Sequence, residues 1–435
     1  MSKLALAGGK PVRSKKFPAW PAFDKKEERA LSAVLKNRSW GGYPFPNVEA
    51  KKFAAAFARA HGARHGVCVA NGTVALEAAL EACGVGPGDE VIVPAYTWEG
   101  TAAPVLFAGA APVFVDVDPD TYCLDALKVA AALTTRTKAI IPVHLAMGMA
   151  DMDALLALAR ARSIAVIEDC AHAHGAKWKG RGAGSLGDAG CFSFQTSKLM
   201  TAGEGGLVLT SDEAVLEALG ALVNCGRPFG RDRSKRRVLG HNYRMTEFQA
   251  AVLSCQLSRL SEQTARRARS AERLSRALTE IGGVKPLRRD PRVTTPAVYQ
   301  FVFRYDPARF EGASRDAFVA ALEAEGVPCD GMFYEPIYRS SLFHADAARY
   351  PALASYDLSR VSCPVAERAA YHEAVWLPHW LLLGAASDMD QIADAVLKIQ
   401  RNAGELARLK HPKIAEKGMS RSARARLELR KGSIQ

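Results

Sequence analysis

No apolar run in the 435-residue chain approaches the roughly 18 residues a membrane span requires, so an integral helical membrane protein is excluded. Cysteine is present but never paired in sequence: nine are scattered singly, with no C-x-x-C spacing. That pattern argues against a disulfide framework and against a structural zinc site, and it points to a reduced, cytoplasmic protein with no metal. The opening stretch, MSKLALAGGKPVRSKKFPAW, has too short an apolar segment and too many bases after it for a signal peptide. Internal repeats are absent. Charge of one sign is scarce outside one place. The formal net charge is +13, but residues 401–435 hold ten Lys/Arg against three Asp/Glu, so +7 belongs to this tail alone. The body of the chain is close to balanced, which removes the electrostatic basis for a nucleic-acid partner. The tail has little apolar periodicity and is expected to be a frayed helix or a flexible end.

What remains is an ordinary globular composition, 49% hydrophobic and 24% charged, in a chain long enough for one large unit and a smaller one. Short apolar runs alternate with helical patterns between about residues 65 and 220: GVCVA, DEVIVPA, APVFVDV, TKAIIPVHL, IAVIEDC, AGCFSF and GGLVLTS. Strands that are apolar throughout and alternate with helices predict an α/β fold, a mostly parallel sheet covered on both faces. Residues 247–281 read as one long helix joining this unit to a smaller α/β unit. The predicted division is an N-terminal segment over 1–25, a large domain over 26–250, the linking helix and small C-terminal domain over 251–400, and the basic tail over 401–435.

In open α/β sheets, ligands bind beyond the carboxyl ends of the strands. After GVCVA comes Asn71-Gly72-Thr73 opening a helix, a natural cradle for phosphate, although plain N-capping explains the same residues. After DEVIVPA comes the aromatic cluster Tyr96-Thr97-Trp98, suited to stacking on a flat ring or to core packing. IAVIEDC ends in Glu168 and Asp169, acids that are costly at the end of a buried strand unless partnered, with His172 and His174 following. Ser193 ends AGCFSF, and Lys198 stands between this strand and the turn TAGEGG, where no amphipathic pattern calls for a lysine.

Phosphate cradle, aromatic plate, strand-end carboxylate and lysine are together the parts that hold pyridoxal 5'-phosphate: the lysine joins the aldehyde and the acid pairs with the ring nitrogen. The competing motif, Gly182-x-Gly184-x-x-Gly187, matches a dinucleotide fingerprint only in letters. It follows a polar stretch and precedes a strand, the reverse of the required context, and reads as a loop.

The segments ANGTVALEAAL, VIVPAYTW, PVFVDVDPDTYCLD, IIPVHLAMGMADMDAL, VIEDCAHAHGA, FSFQTSKLMTAGEGG and HNYRMTEFQAAVL resemble the DegT/DnrJ/EryC1/StrS aminotransferases from about Phe17 to Gln400. The resemblance implies a fold-type I pyridoxal-phosphate enzyme, a homodimer with active sites at the subunit interface, cycling through pyridoxamine 5'-phosphate to carry an amino group from L-glutamine or L-glutamate to a keto-sugar or keto-cyclitol. By motif, Lys198 is implied as the Schiff-base lysine and proton carrier, and Asp169 as the ring-nitrogen partner. Gly72, Thr73 and Ser193 are implied as phosphate contacts, Trp98 as the stacking ring, and Asn242 as a residue reaching the neighbouring subunit's phosphate. His172 stands where many members have glutamine. A lysine at 198 disfavours the dehydratase branch, which has histidine there. The small-domain stretch FYEPIY departs from the Tyr-Pro-x-Pro-Leu-His motif of nucleotide-sugar members, and VWLPHWLLLG is more similar to the subgroup that aminates scyllo-inosose-type ketones with glutamine. AHAHGA, FPAWP and NCGRP are shared with 3-amino-5-hydroxybenzoate synthases, so the aromatising reaction stays open, as does a nucleotide keto-sugar acceptor. Arg227, Tyr334, Tyr338 and His379 are candidate donor or acceptor contacts, with loop packing the alternative for each. A regulator without turnover is the remaining class; it would have no need of Lys198, Asp169 and the cradle together.

Overall fold

The computed structural model describes residues 3–42, 45–229, 238–343, 346–354 and 356–408. The expected flexible tail therefore lies, beyond Arg408, outside the described residues. Seven strands form the central sheet: β1 (His65–Val69), β2 (Glu90–Pro94), β3 (Ala111–Val115), β4 (Thr137–Ile140), β5 (Ala165–Asp169), β6 (Ala189–Ser193) and β7 (Gly206–Thr210). Their spatial order is β1-β7-β6-β5-β4-β2-β3. Every pairing from β3 to β6 is parallel, while β7 runs antiparallel to both β1 and β6. Six of the seven lie within a run read as a strand from its apolar continuity, and β1 begins one residue before its run, at His65. β2, β6 and β7 are buried at every position, which is why none of them alternates in hydrophobicity.

Helices cover both faces. Phe53 and Phe57 of the helix Val48–His61 pack edge-on against Phe194 and Phe192, with centroids 5.4 and 4.8 Å apart, and so fix the position of β6. Burying each such ring contributes about 2 kcal/mol by area removed from water. The connection from β5 to β6 includes Gly182–Gly187, the loop excluded above as a dinucleotide site. Its backbone amides at Gly184, Leu186 and Gly187 donate to the buried Glu168 carboxylate at 2.9, 2.7 and 2.8 Å. His144 Nδ1 accepts from the Ala150 amide, so its proton sits on Nε2 and is donated to Glu168 at 2.9 Å. Burial alone would raise the Glu168 pKa. His144 and the glycine amides more than reverse that and hold it below the ordinary value. Because the folded pKa is depressed, this stabilisation is present above the unfolded value and is lost as pH falls through the folded one. Glu168→Gln is expected to cost about 3–5 kcal/mol at neutral pH. The gap to the wild type should close on acidification, read by urea unfolding at a series of pH values.

The helix Glu247–Ile281 begins in a Thr246/Gln249 capping box and runs from the large core into a second one. That smaller core gathers Leu274, Leu278, Phe301, Phe303, Phe318, Ile392 and Val396 around a three-stranded sheet of β8 (Val284–Pro286), β9 (Gln300–Tyr305) and β10 (Ala374–Pro378). Two features were not legible beforehand. The stretch around Tyr334, Ile337, Tyr338 and Phe343 packs on the large core although it lies far along the chain. KWKGR folds as a small hairpin that pairs with Val293–Thr295. Among the described residues, no helix is long and apolar enough to cross a membrane.

Candidate active site

A cleft of about 740 Å³ opens at the carboxyl ends of the strands, and Gly72, Thr73, Trp98, Asp169, His172, Ser193, Lys198 and Tyr334 all line it. Residues spread over 260 positions are thus brought to one cavity by the topology of the sheet.

Asp169 ends β5 with its backbone fixed on both sides: its amide donates to the Pro142 carbonyl and its carbonyl accepts from the His144 amide. The carboxylate accepts from the Thr101 hydroxyl at 2.9 Å and the Ala171 amide at 3.1 Å. No ion pair is formed by it among the described residues. Burial pushes its pKa up, against the pull of those two donors and of the Lys198 charge. A buried acid facing a cavity in this state fits a cationic N–H partner, such as a protonated pyridine nitrogen.

The cradle is equally specific. Asn71 caps the helix Gly72–Ala82, its side chain accepting from the Val74 amide at 3.1 Å. The first-turn amides of Gly72 and Thr73 have no acceptor within the helix and point, with the helix dipole, at whatever anion sits there. A Cβ on Gly72 would lie 2.7 Å from Ser193 Cβ, so only glycine lets the turn approach Ser193. Gly72→Ala is expected to weaken cofactor phosphate binding about tenfold or more, measured by equilibrium dialysis, because the steric overlap falls on two backbone-anchored atoms. Trp98 is half-exposed at the cleft wall, with Gly100 packed under its indole. These residues fit pyridoxal phosphate: a cradle, a plate and an unpaired buried carboxylate.

Lys198 is held by its backbone. Between β6 and β7 the Phe194 amide donates to Gly205 and Thr196 to Gly203, at 2.8 and 2.9 Å, and the Thr201 hydroxyl returns to the Phe194 carbonyl. The Lys198 amine lies 4.6 Å from the centroid of the Tyr299 ring, a cation–π seat. Ser197 donates its hydroxyl to Gln195 and shares a 2.8 Å bond with Tyr299, which fixes the aromatic seat relative to the lysine.

His172 Nδ1 accepts the Ala146 amide at 3.2 Å, so the ring proton sits on Nε2, 3.2 Å from the Tyr334 hydroxyl. Burial, helped by the nearby Lys198 charge, keeps this imidazole neutral by pushing its pKa well down. The Tyr334 oxygen accepts from His172, and its own proton is free to be donated elsewhere. His174 does not face the cavity; its Nε2 donates to the Ser193 carbonyl at 2.9 Å, behind the lysine loop.

The remaining candidates part company with the cleft of their own chain. The Tyr338 hydroxyl bonds Glu367 and the Cys363 amide at 2.8 and 2.9 Å, a packing role, and Tyr338 is not among the cleft residues. His379 also lies off the cleft, fully buried, with Nε2 bonded to the Ser197 carbonyl at 3.0 Å. The Tyr338 hydroxyl both donates and accepts, whereas His379 keeps its buried Nδ1 without a hydrogen-bond partner; each was a candidate acceptor contact with loop packing as the alternative. Arg227 and Asn242 are exposed and lie outside the cleft of this chain. Thr101, Tyr299, Phe333 and Trp376 line the cleft without having been singled out from sequence. Thr101 sits three residues past the noted aromatic cluster, and the others come from the distant small unit. His144, Glu168 and Cys170 bring three ligand-type atoms together, but the Glu168 oxygens are already taken by three amides and an imidazole.

Comparison with known proteins identifies the family. A relative from Streptoalloteichus tenebrarius, provisionally named L-glutamine:3-amino-2,3-dideoxy-scyllo-inosose aminotransferase, is 49% identical over 413 residues, covering 93% of this chain and 99% of its own. The L-glutamine:2-deoxy-scyllo-inosose aminotransferase of Micromonospora echinospora is 40% identical over 421 residues, covering 93% and 100%. The crystal structure of 3-amino-5-hydroxybenzoic acid synthase superposes with a TM-score of 0.79 at 38% identity, covering 89% of this chain and 99% of that one. The DegT/DnrJ/EryC1/StrS aminotransferase family profile matches residues 21–397, and the chain belongs to that family.

Proposed function

We propose that the protein is a pyridoxal-phosphate-dependent aminotransferase that moves the amino group of L-glutamine onto a keto-cyclitol of the scyllo-inosose type. The observation that carries the substrate class is the charge of the cleft. Among the described residues of its own chain that line the cleft, Lys198 is the one Lys or Arg, whereas Glu77, Asp169, Glu204 and Asp330 are acids and Trp98, Tyr299, Phe333, Tyr334, Trp376 and Trp380 are aromatic. A nucleotide diphosphate needs arginine or lysine partners. An uncharged polyol ring, or one bearing an ammonium group, fits aromatic walls and acids. The names of the relatives from Streptoalloteichus and Micromonospora support the same acceptor class.

When bound, pyridoxal phosphate supplies a carbonyl for the amino group and a protonated ring that withdraws electrons from the donor's α-carbon. Gly72, Thr73 and Ser193 would bind its phosphate, Trp98 would stack on its ring, and Asp169 would keep its nitrogen protonated. Lys198 would carry it covalently and, when free, take the α-proton at Nζ and return it. His172 orients the Tyr334 hydroxyl toward the cleft. Asn242 and Arg227, exposed and away from their own cleft, would serve the site of the partner in a homodimer. Nine unpaired cysteines support a cytoplasmic location.

The test is mass spectrometry of ketones incubated with enzyme, pyridoxal phosphate and L-glutamine. Replacement of carbonyl by amine on 2-deoxy-scyllo-inosose or its 3-amino derivative is expected. Amination of a nucleotide keto-sugar alone, or loss of water from aminodehydroshikimate, would overturn the reading.

A further inference from the structure

Among the described residues, Arg267 is a fully buried cation on the long helix with no carboxylate partner. Its Nε and Nη1 meet no hydrogen-bond acceptor, and Nη2 reaches only Gln263 at 3.3 Å. Burial alone lowers its pKa to about 9. A charge in this state costs stability unless something offsets it. The group that faces it is aromatic: the guanidinium carbon lies 5.3 Å from the centroid of the Trp20 ring.

Trp20 belongs to the FPAWP stretch, which the catalytic reading leaves without a role. Its indole N–H donates to the Thr196 carbonyl at 3.0 Å, two residues before Lys198. Its ring meets His379 edge-on at 4.6 Å, and His379 in turn donates to the Ser197 carbonyl at 3.0 Å, one residue before Lys198. The segment carrying Trp20 is tied at both ends. On the small-unit side, the Ala5 and Val12 amides donate to Glu325 at 2.9 Å each, and Arg13 pairs with Asp388 at 2.7 Å. On the other side, Gln256 donates to the Ala22 carbonyl at 2.9 Å and Asp24 caps the next helix.

We propose that Trp20 is a positioning residue for Lys198: the N-terminal segment is a strap across the lysine loop, and the buried Arg267 holds its tryptophan in place. The cation–π contact offsets part of the cost of a buried guanidinium kept without an acid, since the attraction is stronger for a desolvated cation than for an exposed one. The paired donations from Trp20 and His379 fix successive carbonyls of the loop, so the Lys198 backbone keeps one direction whether or not its amine is engaged.

The inference rests on the cofactor reading above, and its test separates the two. Wild type, Trp20→Phe, Arg267→Met, Arg267→Lys and the Phe/Met double variant are loaded with pyridoxal phosphate and dialysed, following loss of the lysine-bound visible absorption. The thermal midpoint of each cofactor-free protein is measured alongside. Trp20→Phe keeps the ring but loses the N–H, and is expected to release cofactor about fivefold faster with an unchanged midpoint. Arg267→Met, apolar and of similar length, should do the same with an equal or higher midpoint. Arg267→Lys should restore retention, and the double variant should be no worse than either single change. Equal retention in all variants, or losses that follow the thermal midpoint, would overturn the strap. A wild type that takes up no cofactor would instead sink the reading on which it rests.

Discussion

Lys198→Ala is expected to lower turnover by roughly 10⁴-fold, the full weight of a positioned acid–base group, and to remove the visible absorption of lysine-bound cofactor. The fold should survive. The contacts that shape the loop are made by main-chain atoms of Phe194, Thr196, Ser197 and Gly203 and by the Thr201 hydroxyl, none of which the substitution touches. The substitution removes the amine over Tyr299 and its electrostatic pull on Asp169 and His172. Lys198→Arg should not rescue, because a guanidinium stays protonated and cannot act as nucleophile or base. Stopped-flow turnover with a thermal melt on the same preparation checks both halves. An alanine variant that retains activity within tenfold would remove the lysine from the mechanism.

Asp169→Asn is the second large effect, about 10³-fold in turnover, with opposite consequences for the empty and loaded protein. The amide keeps an oxygen for Thr101 or Ala171 but has no charge to hold a ring nitrogen protonated, and the loss of a buried charge partner is worth several kcal/mol. In the cofactor-free protein the carboxylate is itself a burden: burial raises its pKa, so ionising it costs stability as pH rises past the ordinary aspartate range. The asparagine variant should therefore be at least as stable as wild type without cofactor at neutral pH, and less stabilised by adding it. Thermal melts with and without pyridoxal phosphate at pH 5 and pH 8 give the four values needed. An equal gain from cofactor in both proteins would show that Asp169 does not pair with it.

The sheet was legible because its strands lie on short, mostly apolar runs separated by turn residues or helical patterns, the signature of strands covered on both faces. The cradle, Asp169 and Lys198 were legible for a related reason: each breaks the local pattern at a strand end, a glycine beside a cap, an acid closing an apolar run, a lysine before a glycine turn. Partners supplied from far along the chain were not. Tyr299, Phe333 and Trp376 reach the cleft because the small unit folds back against the sheet, and nothing near those residues in sequence announces it. His379, a candidate for which loop packing was the alternative, takes a packing position in its own chain. It sits between Pro378 and Trp380, which do line the cleft, but its own ring turns away to the Ser197 carbonyl. Tyr338 likewise spends its hydroxyl on Glu367 and Cys363. Glu168 and Asp169, adjacent acids with the same sequence signal, divide by pleat: successive side chains on β5 face opposite sides of the sheet. One is buried in a nest of amides; the other faces the cleft.

The most direct test of the central claim is the visible spectrum of the purified protein with pyridoxal phosphate, recorded before and after L-glutamine and again after a keto-cyclitol. A yellow band that glutamine bleaches and the ketone restores is the predicted result, since it follows one amino group onto the enzyme and off again. A protein that develops no band, or a band that glutamine leaves unchanged, would contradict it.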